Sequence, residues 1–240
     1  MFINAVGQVA SEVAAIKSIN SQVFEKSSQN IDLYFRDLLV NEKYLWSAFL
    51  CILSAKALRE VNKTTVKLGC IMHLLSITMH LHKKLPQTIL TTDIKKKLQY
   101  PILIGDLMYC KIFSELSRFE MQQYIPAVSS LICTIHERLA GQESQEEEIE
   151  ALICEKACYF GAHSVIGSTD TTEKISELGY HLGALRTLWE SEEGYSAKVN
   201  SRWQSTWKLL DFLPGLKEKS LFQDILLKMG EQWTQKEQLC

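Results

Sequence analysis

The sequence predicts an all-α fold, a single-domain helical bundle over residues 1–240. Apolar residues recur at spacings of three and four along nearly the whole chain, which is the period of a helix with one buried face. No segment shows sustained alternation of apolar and polar residues next to a hairpin turn, so strands are not predicted. Only 4 prolines and 11 glycines interrupt the helical pattern. About ten helices with short connections are expected.

Three helices are predicted in the first third of the chain. Asn30 is expected to cap a helix over 31–39, because its side chain accepts a hydrogen bond from a free backbone N–H. An apolar helix follows over 44–59. The third helix covers 66–84 and ends before Pro86, since a proline disfavours helical backbone at the residue before it.

Prolines, glycines and capping patterns place the remaining helices. Residues 87–99 are polar and are expected to form a connection, after which Pro101 suits the first turn of the next helix. Gly141 is expected to end a further helix that follows Phe119 and reaches about Leu139. Later helices are expected at 144–165, 170–189, 197–212 and 216–233, the first two with capping boxes formed by Ser144 with Glu147 and by Asp170 with Glu173.

Composition excludes several classes of protein. The formal net charge is -2 and the lysines are scattered, whereas a nucleic-acid-binding protein needs a concentrated basic face. The seven cysteines form no CxxC pair and most lie in apolar helical runs, which indicates reduced core residues of a cytosolic protein. Residues 1–6 have no basic segment of the kind that begins a signal peptide. The most apolar run, 45–58, is shorter than the roughly 20 residues that span a bilayer. A cytoplasmic protein, with at most a loose membrane association, is expected.

Four segments carry a resemblance to a known family. Residues 66–84 align with the helix of the first aspartate-rich motif of trans-prenyltransferases, and 102–108 (Ile-Leu-Ile-Gly-Asp-Leu-Met) with that family's Gly-Asp segment. Residues 156–160 align with its Lys-Thr segment, and 179–183 (Gly-Tyr-His-Leu-Gly) with the turn before its second aspartate-rich motif. Because order and spacing agree, the chain resembles trans-prenyltransferases over most of 40–195. The resemblance implies a bundle of the isoprenoid synthase type.

The same alignment shows that both aspartate-rich motifs are lost. In the first motif His80, Leu81 and Lys84 stand where the family has three carboxylates. Imidazole, leucine and ammonium cannot replace the hard oxygen ligands that Mg²⁺ requires. In the second motif the aligned residues are Glu190, Ser191 and Gly194, so one carboxylate of three stays in register.

The family's diphosphate-binding cations are only partly kept. The early Gly-Lys-Arg-x-Arg-Pro segment retains Lys43 but has lost both arginines, whose planar forks suit phosphate best. The Lys-Thr pair retains Lys156, followed here by Ala157. Lys43 and Lys156 are therefore the candidates for residual diphosphate contacts. No catalytic residue and no metal ligand are predicted, and this chain is expected to bind no cofactor.

A short chain with both motifs lost resembles one class in particular, the small non-catalytic subunit (component I) of heterodimeric bacterial polyprenyl diphosphate synthases, chiefly heptaprenyl diphosphate synthase. The resemblance implies a catalytic partner with intact aspartate motifs, which holds the Mg²⁺. It implies that the pair elongates farnesyl diphosphate with isopentenyl diphosphate, for the menaquinone side chain. Two alternatives remain open. One is a stand-alone prenyltransferase or terpene synthase with an altered metal site, using Glu190, Glu192, Lys43 and Lys156, and the other is an unrelated helical adaptor.

The resemblance also implies where a partner and a prenyl chain would lie. In the family, dimers form through the two helices that here span 101–118 and 119–139, so Ile112 and Leu131 are expected at the interface. Leu75 and Ser76, one turn below His80, align with residues that line the family's product tunnel. The other interpretation of Leu75 and Ser76 is that they pack in this chain's own core.

Overall fold

A computed structural model describes residues 7–24, 37–83, 92–141, 146–190, 197–213 and 217–237. Within these ranges the chain is helical and has no strand, which confirms the all-α prediction. The α-helices with complete bounds are α1 (Ala10–Phe24), α2 (Trp46–Leu58), α3 (Lys63–Lys83), α4 (Thr92–Arg118), α5 (Ile125–Ala140), α6 (Glu146–Ile166), α7 (Asp170–Glu190), α8 (Ala197–Phe212) and α9 (Ser220–Glu237). In the described ranges no helix combines the length and apolar composition needed to cross a membrane.

Helix α2 is the centre of the bundle. All of its residues except Lys56 are buried, as expected for a helix that is apolar on every side. Helices α3 and α6 pack against it, and α7 packs on the outer side of α6. Helix α1 lies against α3, where the buried Asn20 side chain donates to the Cys70 carbonyl at 3.2 Å. The apolar side chains of all these helices join in one hydrophobic core.

Small residues let the central helices approach closely. A Cβ atom added to Gly161 of α6 would overlap the backbone carbonyl oxygen of Cys51 in α2. A Cβ on Gly183 of α7 would lie 2.7 Å from the carbonyl oxygen of Glu150 in α6. The buried Cys154 belongs to the same α6–α7 contact, which confirms that this cysteine packs a helix seam. Cys110 and Cys133 differ from the predicted core cysteines, since both are exposed and free.

Two predicted helix starts and one predicted cap were wrong. Helix α4 begins at Thr92 and continues through Pro101, so residues 92–99 are helical and not a connection. An interior proline costs about 3 kcal/mol, which burial of the following part of α4 offsets. Helix α7 begins at Asp170 as predicted, but its cap is Thr169, whose hydroxyl accepts from the Thr172 N–H at 3.1 Å. Helix α9 begins at Ser220, and the N–H groups of Lys217 and Glu218 before it donate to the Ala57 carbonyl.

Other predicted bounds agree within a few residues. Helix α3 covers residues 66–83 of the predicted 66–84, and Gly141 follows α5 as expected, its N–H donating to the Glu137 carbonyl. Asn30, Ser144, Pro86 and Pro214 lie outside the described residues, and so does most of the predicted helix 31–39, of which 37–39 are helical.

Candidate functional site

A small cavity lies between α3 and α7, the helices that carry the two altered motifs. It is about 50 Å³ in volume, which is room for a few water molecules. Its walls come from the turn before α2 and from helices α3, α6 and α7. The lining residues are Lys43, Tyr44, Ser76, Met79, His80, Ile149, Glu150, Ile153, Arg186 and Glu190.

Helix α3 brings His80 to this cavity, as the alignment of the first motif implied. The imidazole ring packs against the Tyr44 ring, with centroids 4.7 Å apart. Leu81 points elsewhere and is 3% exposed, so it is an ordinary core residue. Lys84 lies outside the described residues. The first-motif side of the cavity therefore offers one imidazole and no carboxylate.

Helix α7 brings Glu190 to the opposite side, but its carboxylate is occupied by cations of the same chain. Lys43 Nζ lies 3.2 Å from Glu190 Oε2, and Arg186 Nε donates to Glu190 Oε1 at 3.0 Å. Ser191 and Gly194 lie outside the described residues. Among the described residues no group of three or more His, Cys, Asp or Glu side chains could hold a metal ion. The side chains that the structure describes at this cavity do not fit a magnesium site.

Arg186 is the residue that sequence reasoning missed. Its side chain is 9% exposed and contacts four neighbours. Nε binds Glu190, Nη2 donates to the Lys43 carbonyl oxygen at 2.9 Å, and Nη1 lies 3.6 Å from Glu150 Oε1. The guanidinium carbon also lies 5.3 Å from the centroid of the Trp46 ring, within the range of a cation–π contact.

One feature of the sequence would have identified Arg186. Gly179, Leu182 and Gly183 form a buried stripe along α7, and Arg186 continues this stripe at helical spacing. A charged residue is almost never fully buried unless it is paired. An arginine on the buried face of a helix therefore predicts an ion pair within the bundle, although not its partners.

The two lysines expected to bind diphosphate have different positions. Lys43 lines the cavity. Lys156 does not, because its Nζ lies over the Tyr159 ring, 5.0 Å from the centroid. The residue next to it, Ala157, is the one that faces the core. The structure therefore keeps one of the two candidate diphosphate contacts at the site.

The two candidate tunnel residues also separate. Ser76 lines the cavity, and its hydroxyl is 2.6 Å from that of Ser47, which donates to the Met72 carbonyl. Leu75 is fully buried in the hydrophobic core and does not line the cavity. A product-tunnel role of Leu75 and Ser76 stays a prediction.

The Gly-Asp segment of α4 supports a cluster of aromatic and histidine side chains. The His82 ring lies directly against Gly105 and stacks on Tyr109, with centroids 5.1 Å apart. The Tyr109 hydroxyl is hydrogen-bonded to His136 Nε2 of α5 at 2.5 Å. Burial lowers the pKa of His82 and of His136 and raises the pKa of Tyr109. These rings fix how α3, α4 and α5 pack on one another.

The two residues chosen for a partner interface belong to the internal core. Ile112 is fully buried and Leu131 is 5% exposed, because both face the other helices of this chain. The outer surface of α4 instead carries Leu103, which is 65% exposed, and Cys110. On α5 the exposed cysteine is Cys133. Contact of α4 and α5 with a partner stays a prediction, with different residues at the surface.

The fold is that of trans-prenyl diphosphate synthases, as comparison with solved structures shows. No protein-family model matches the chain, and no curated protein matches its sequence. A decaprenyl diphosphate synthase from Rhodobacter capsulatus superposes with a TM-score of 0.69 at 12% identity, over 94% of this chain and 97% of that one. These values show a shared fold.

Two further similar structures come from heteromeric or small-subunit proteins. A deletion mutant of the mint heterotetrameric geranyl pyrophosphate synthase matches with a TM-score of 0.56 at 16% identity, over 89% of this chain and 98% of that one. The geranyl diphosphate synthase small subunit from Antirrhinum majus matches with a TM-score of 0.55 at 14% identity, over 92% of this chain and 99% of that one.

Proposed function

We propose that this chain is the non-catalytic subunit of a heteromeric trans-polyprenyl diphosphate synthase. Its partner carries both intact aspartate-rich motifs and the Mg²⁺ ions. Together the two subunits elongate farnesyl diphosphate with isopentenyl diphosphate. By the sequence resemblance, the product is heptaprenyl diphosphate for the menaquinone side chain.

One observation carries this proposal: a prenyltransferase-type fold in which an internal ion-pair network occupies the cavity between the helices of the two altered motifs. Prenyl transfer requires a divalent metal and cations that stabilise the leaving diphosphate. Here the single carboxylate kept from the two motifs, that of Glu190, is held by Lys43 and Arg186. The remaining volume of about 50 Å³ is far below the several hundred Å³ of a typical ligand pocket.

The comparisons support the subunit part of the proposal. One of the similar structures is a small subunit of geranyl diphosphate synthase, and another is a heterotetrameric geranyl pyrophosphate synthase. A chain of this fold can therefore serve beside a separate catalytic chain. In the present protein, the outer surfaces of α4 and α5 are the proposed contact with that chain.

Activity assays on separate and combined subunits test the proposal. The isolated chain, incubated with farnesyl diphosphate, labelled isopentenyl diphosphate and Mg²⁺, is expected to give no elongated product. Addition of the catalytic subunit is expected to give a long-chain product and one co-eluting complex. A Glu190→Gln preparation serves as the control for a contaminating synthase. Elongation by the isolated chain that disappears in this variant would contradict the proposal.

A further inference from the structure

The ion-pair network in the cavity has the arrangement of an occupied anion site. Two cations hold one carboxylate, with Arg186 on Glu190 Oε1 and Lys43 on Glu190 Oε2. Carboxylate and phosphate present similar oxygen geometry, and arginine is the side chain best suited to bind either of them. The cations would bind a phosphoryl group in the same way if Glu190 moved aside.

One N–H donor of this network has no hydrogen-bond acceptor within the described part of the chain. Arg186 Nη1 has no hydrogen-bond partner among the described residues, since Glu150 Oε1 lies 3.6 Å away. The side chain that carries it is 9% exposed and lines the cavity. A buried N–H donor without a partner costs about 1–3 kcal/mol, and in proteins such a donor commonly binds a water molecule or an ion. The cavity therefore has an N–H donor for one more oxygen ligand.

The site is open to solvent on the side where a ligand would enter. The side chains of Lys43 and Glu190 are 48% and 33% exposed. Glu190 is the last residue of α7, so a rotation of its side chain releases the carboxylate to water without disturbing the helix interior. Once Glu190 has left, the described lining of the cavity holds two cations, Lys43 and Arg186, and one carboxylate, that of Glu150, so the site attracts an anion.

We propose that Lys43 and Arg186 bind a phosphoryl group without a divalent metal, and that the Glu190 carboxylate occupies this position when the ligand is absent. The ligand class is free phosphate, free diphosphate or the diphosphate end of an ester. The Glu190 carboxylate therefore competes with the ligand for these two cations. The inference concerns this chain alone and does not rest on the presence of a catalytic partner.

Calorimetric titration of the full chain in EDTA tests the inference. Inorganic phosphate and inorganic diphosphate are the two probes, at an ionic strength held constant with NaCl. Glu190→Gln removes the competing charge at nearly constant size, and it is expected to tighten binding about tenfold or more. Arg186→Gln is expected to weaken binding by at least about tenfold. Lys43→Met, at a partly exposed position that tolerates substitution, is expected to weaken it in the same direction.

Asp170→Asn is the matched control, because it breaks an exposed ion pair with Lys174 on the same helix but outside the cavity. It is expected to leave the affinity unchanged. The inference is overturned if Glu190→Gln binds neither probe at millimolar concentration, or if binding requires added Mg²⁺. It is also overturned if Asp170→Asn tightens binding as much as Glu190→Gln does, or if Lys43→Met and Arg186→Gln both bind like the unaltered chain.

Discussion

Arg186 shows how one residue changes the chemistry of a whole cavity. A guanidinium supplies positive charge and directed N–H donors, as a bound metal ion supplies charge and vacant coordination positions. It is covalently part of the chain and needs no ligand set of carboxylates. The network of Lys43, Glu190 and Arg186 therefore connects the turn before α2 to α7 through groups of the chain itself.

His73 is a second residue whose surroundings decide its chemistry. It is fully buried on α3, and Asn20 Nδ2 lies 3.0 Å from its Nδ1. Burial, with a smaller effect of the nearby charge of Lys17, lowers the pKa of His73 to about 3. The folded protein therefore keeps this imidazole neutral over the whole physiological range.

We expect His73 to make stability depend on pH below neutrality. Because its pKa is lower in the folded than in the unfolded chain, the stabilisation is complete above about pH 6.5 and is lost as pH falls from there towards 3. The free energy of unfolding falls by about 1.4 kcal/mol per pH unit in this range, or by about 2 kcal/mol in total at pH 5. Urea unfolding of the unaltered chain at pH 7.5 and pH 5 measures it.

The variant His73→Asn isolates this effect. The asparagine amide oxygen can accept a hydrogen bond from Asn20 but does not titrate. The free energy of unfolding of this variant should therefore change less between pH 7.5 and pH 5 than that of the unaltered chain, whatever the variant's absolute stability. His181→Asn, at a half-buried site, is the control and should keep most of the original dependence. A pH dependence of His73→Asn equal to that of the unaltered chain would show that other groups cause the acid sensitivity.

At the scale of helices, the fold depends on close approach of α6 to both α2 and α7. Gly161 faces the α2 backbone at Cys51, and Gly183 faces the α6 backbone at Glu150. Backbone atoms cannot rotate away as a flexible side chain can. A methyl group at either position must therefore push two helices apart and disturb the core on both sides.

We expect Gly161→Ala to destabilise the protein by at least about 2 kcal/mol, although alanine favours a helix more than glycine does. Gly141→Ala is the matched control. At Gly141 φ is -75°, and the nearest atom to an added Cβ is 3.6 Å away, so the change should lie within about 0.5 kcal/mol or be slightly stabilising. Thermal or urea unfolding compares the two variants, and equal stabilities would refute the role of the α2–α6 contact.

Hydrophobic periodicity predicted the existence of most described helices, because each buries a continuous apolar face. Periodicity did not predict where α4 begins. A proline is common in the first turn of a helix but is also tolerated inside one when packing offsets its cost, and the local sequence at Pro101 does not separate these cases. Similarly, Thr169 and Asp170 both suit an N-cap, and the geometry of the preceding turn at Gly167 decides between them.

At the scale of the molecule, the family resemblance assigned His80, Lys43 and Glu190 to one functional site. These residues lie about 40 to 150 positions apart in the sequence, and the structure brings their side chains to one cavity. It did not predict the ion-pair network, since a pairing between Arg186 and the Lys43 backbone 143 residues away leaves no local pattern in the sequence. Nor did it predict which way Ile112 and Leu131 face. Both lie on helices with apolar residues on more than one side.

The proposed partner surface leads to a prediction for the whole assembly. Leu103 on α4 is 65% exposed, and a large apolar side chain at that position suits an interface with a second subunit. Leu103→Asp is therefore expected to weaken co-elution with the catalytic subunit while it leaves the helical circular dichroism spectrum unchanged. Leu227→Asp is the matched control, because Leu227 is 53% exposed on a different helix, α9.

The exposed thiols give a second measurement of the same contact. Cys110 on α4 and Cys133 on α5 should react with a thiol reagent in the isolated chain, whereas the buried Cys51 and Cys158 should not. Burial raises the pKa of Cys158 to about 12, which suppresses its thiolate further. In the complex, Cys110 and Cys133 are expected to be protected, as peptide mass spectrometry can determine. If both thiols react at the same rate in the complex as in the isolated chain, and if Leu103→Asp binds as well as Leu227→Asp, then α4 and α5 do not form the interface.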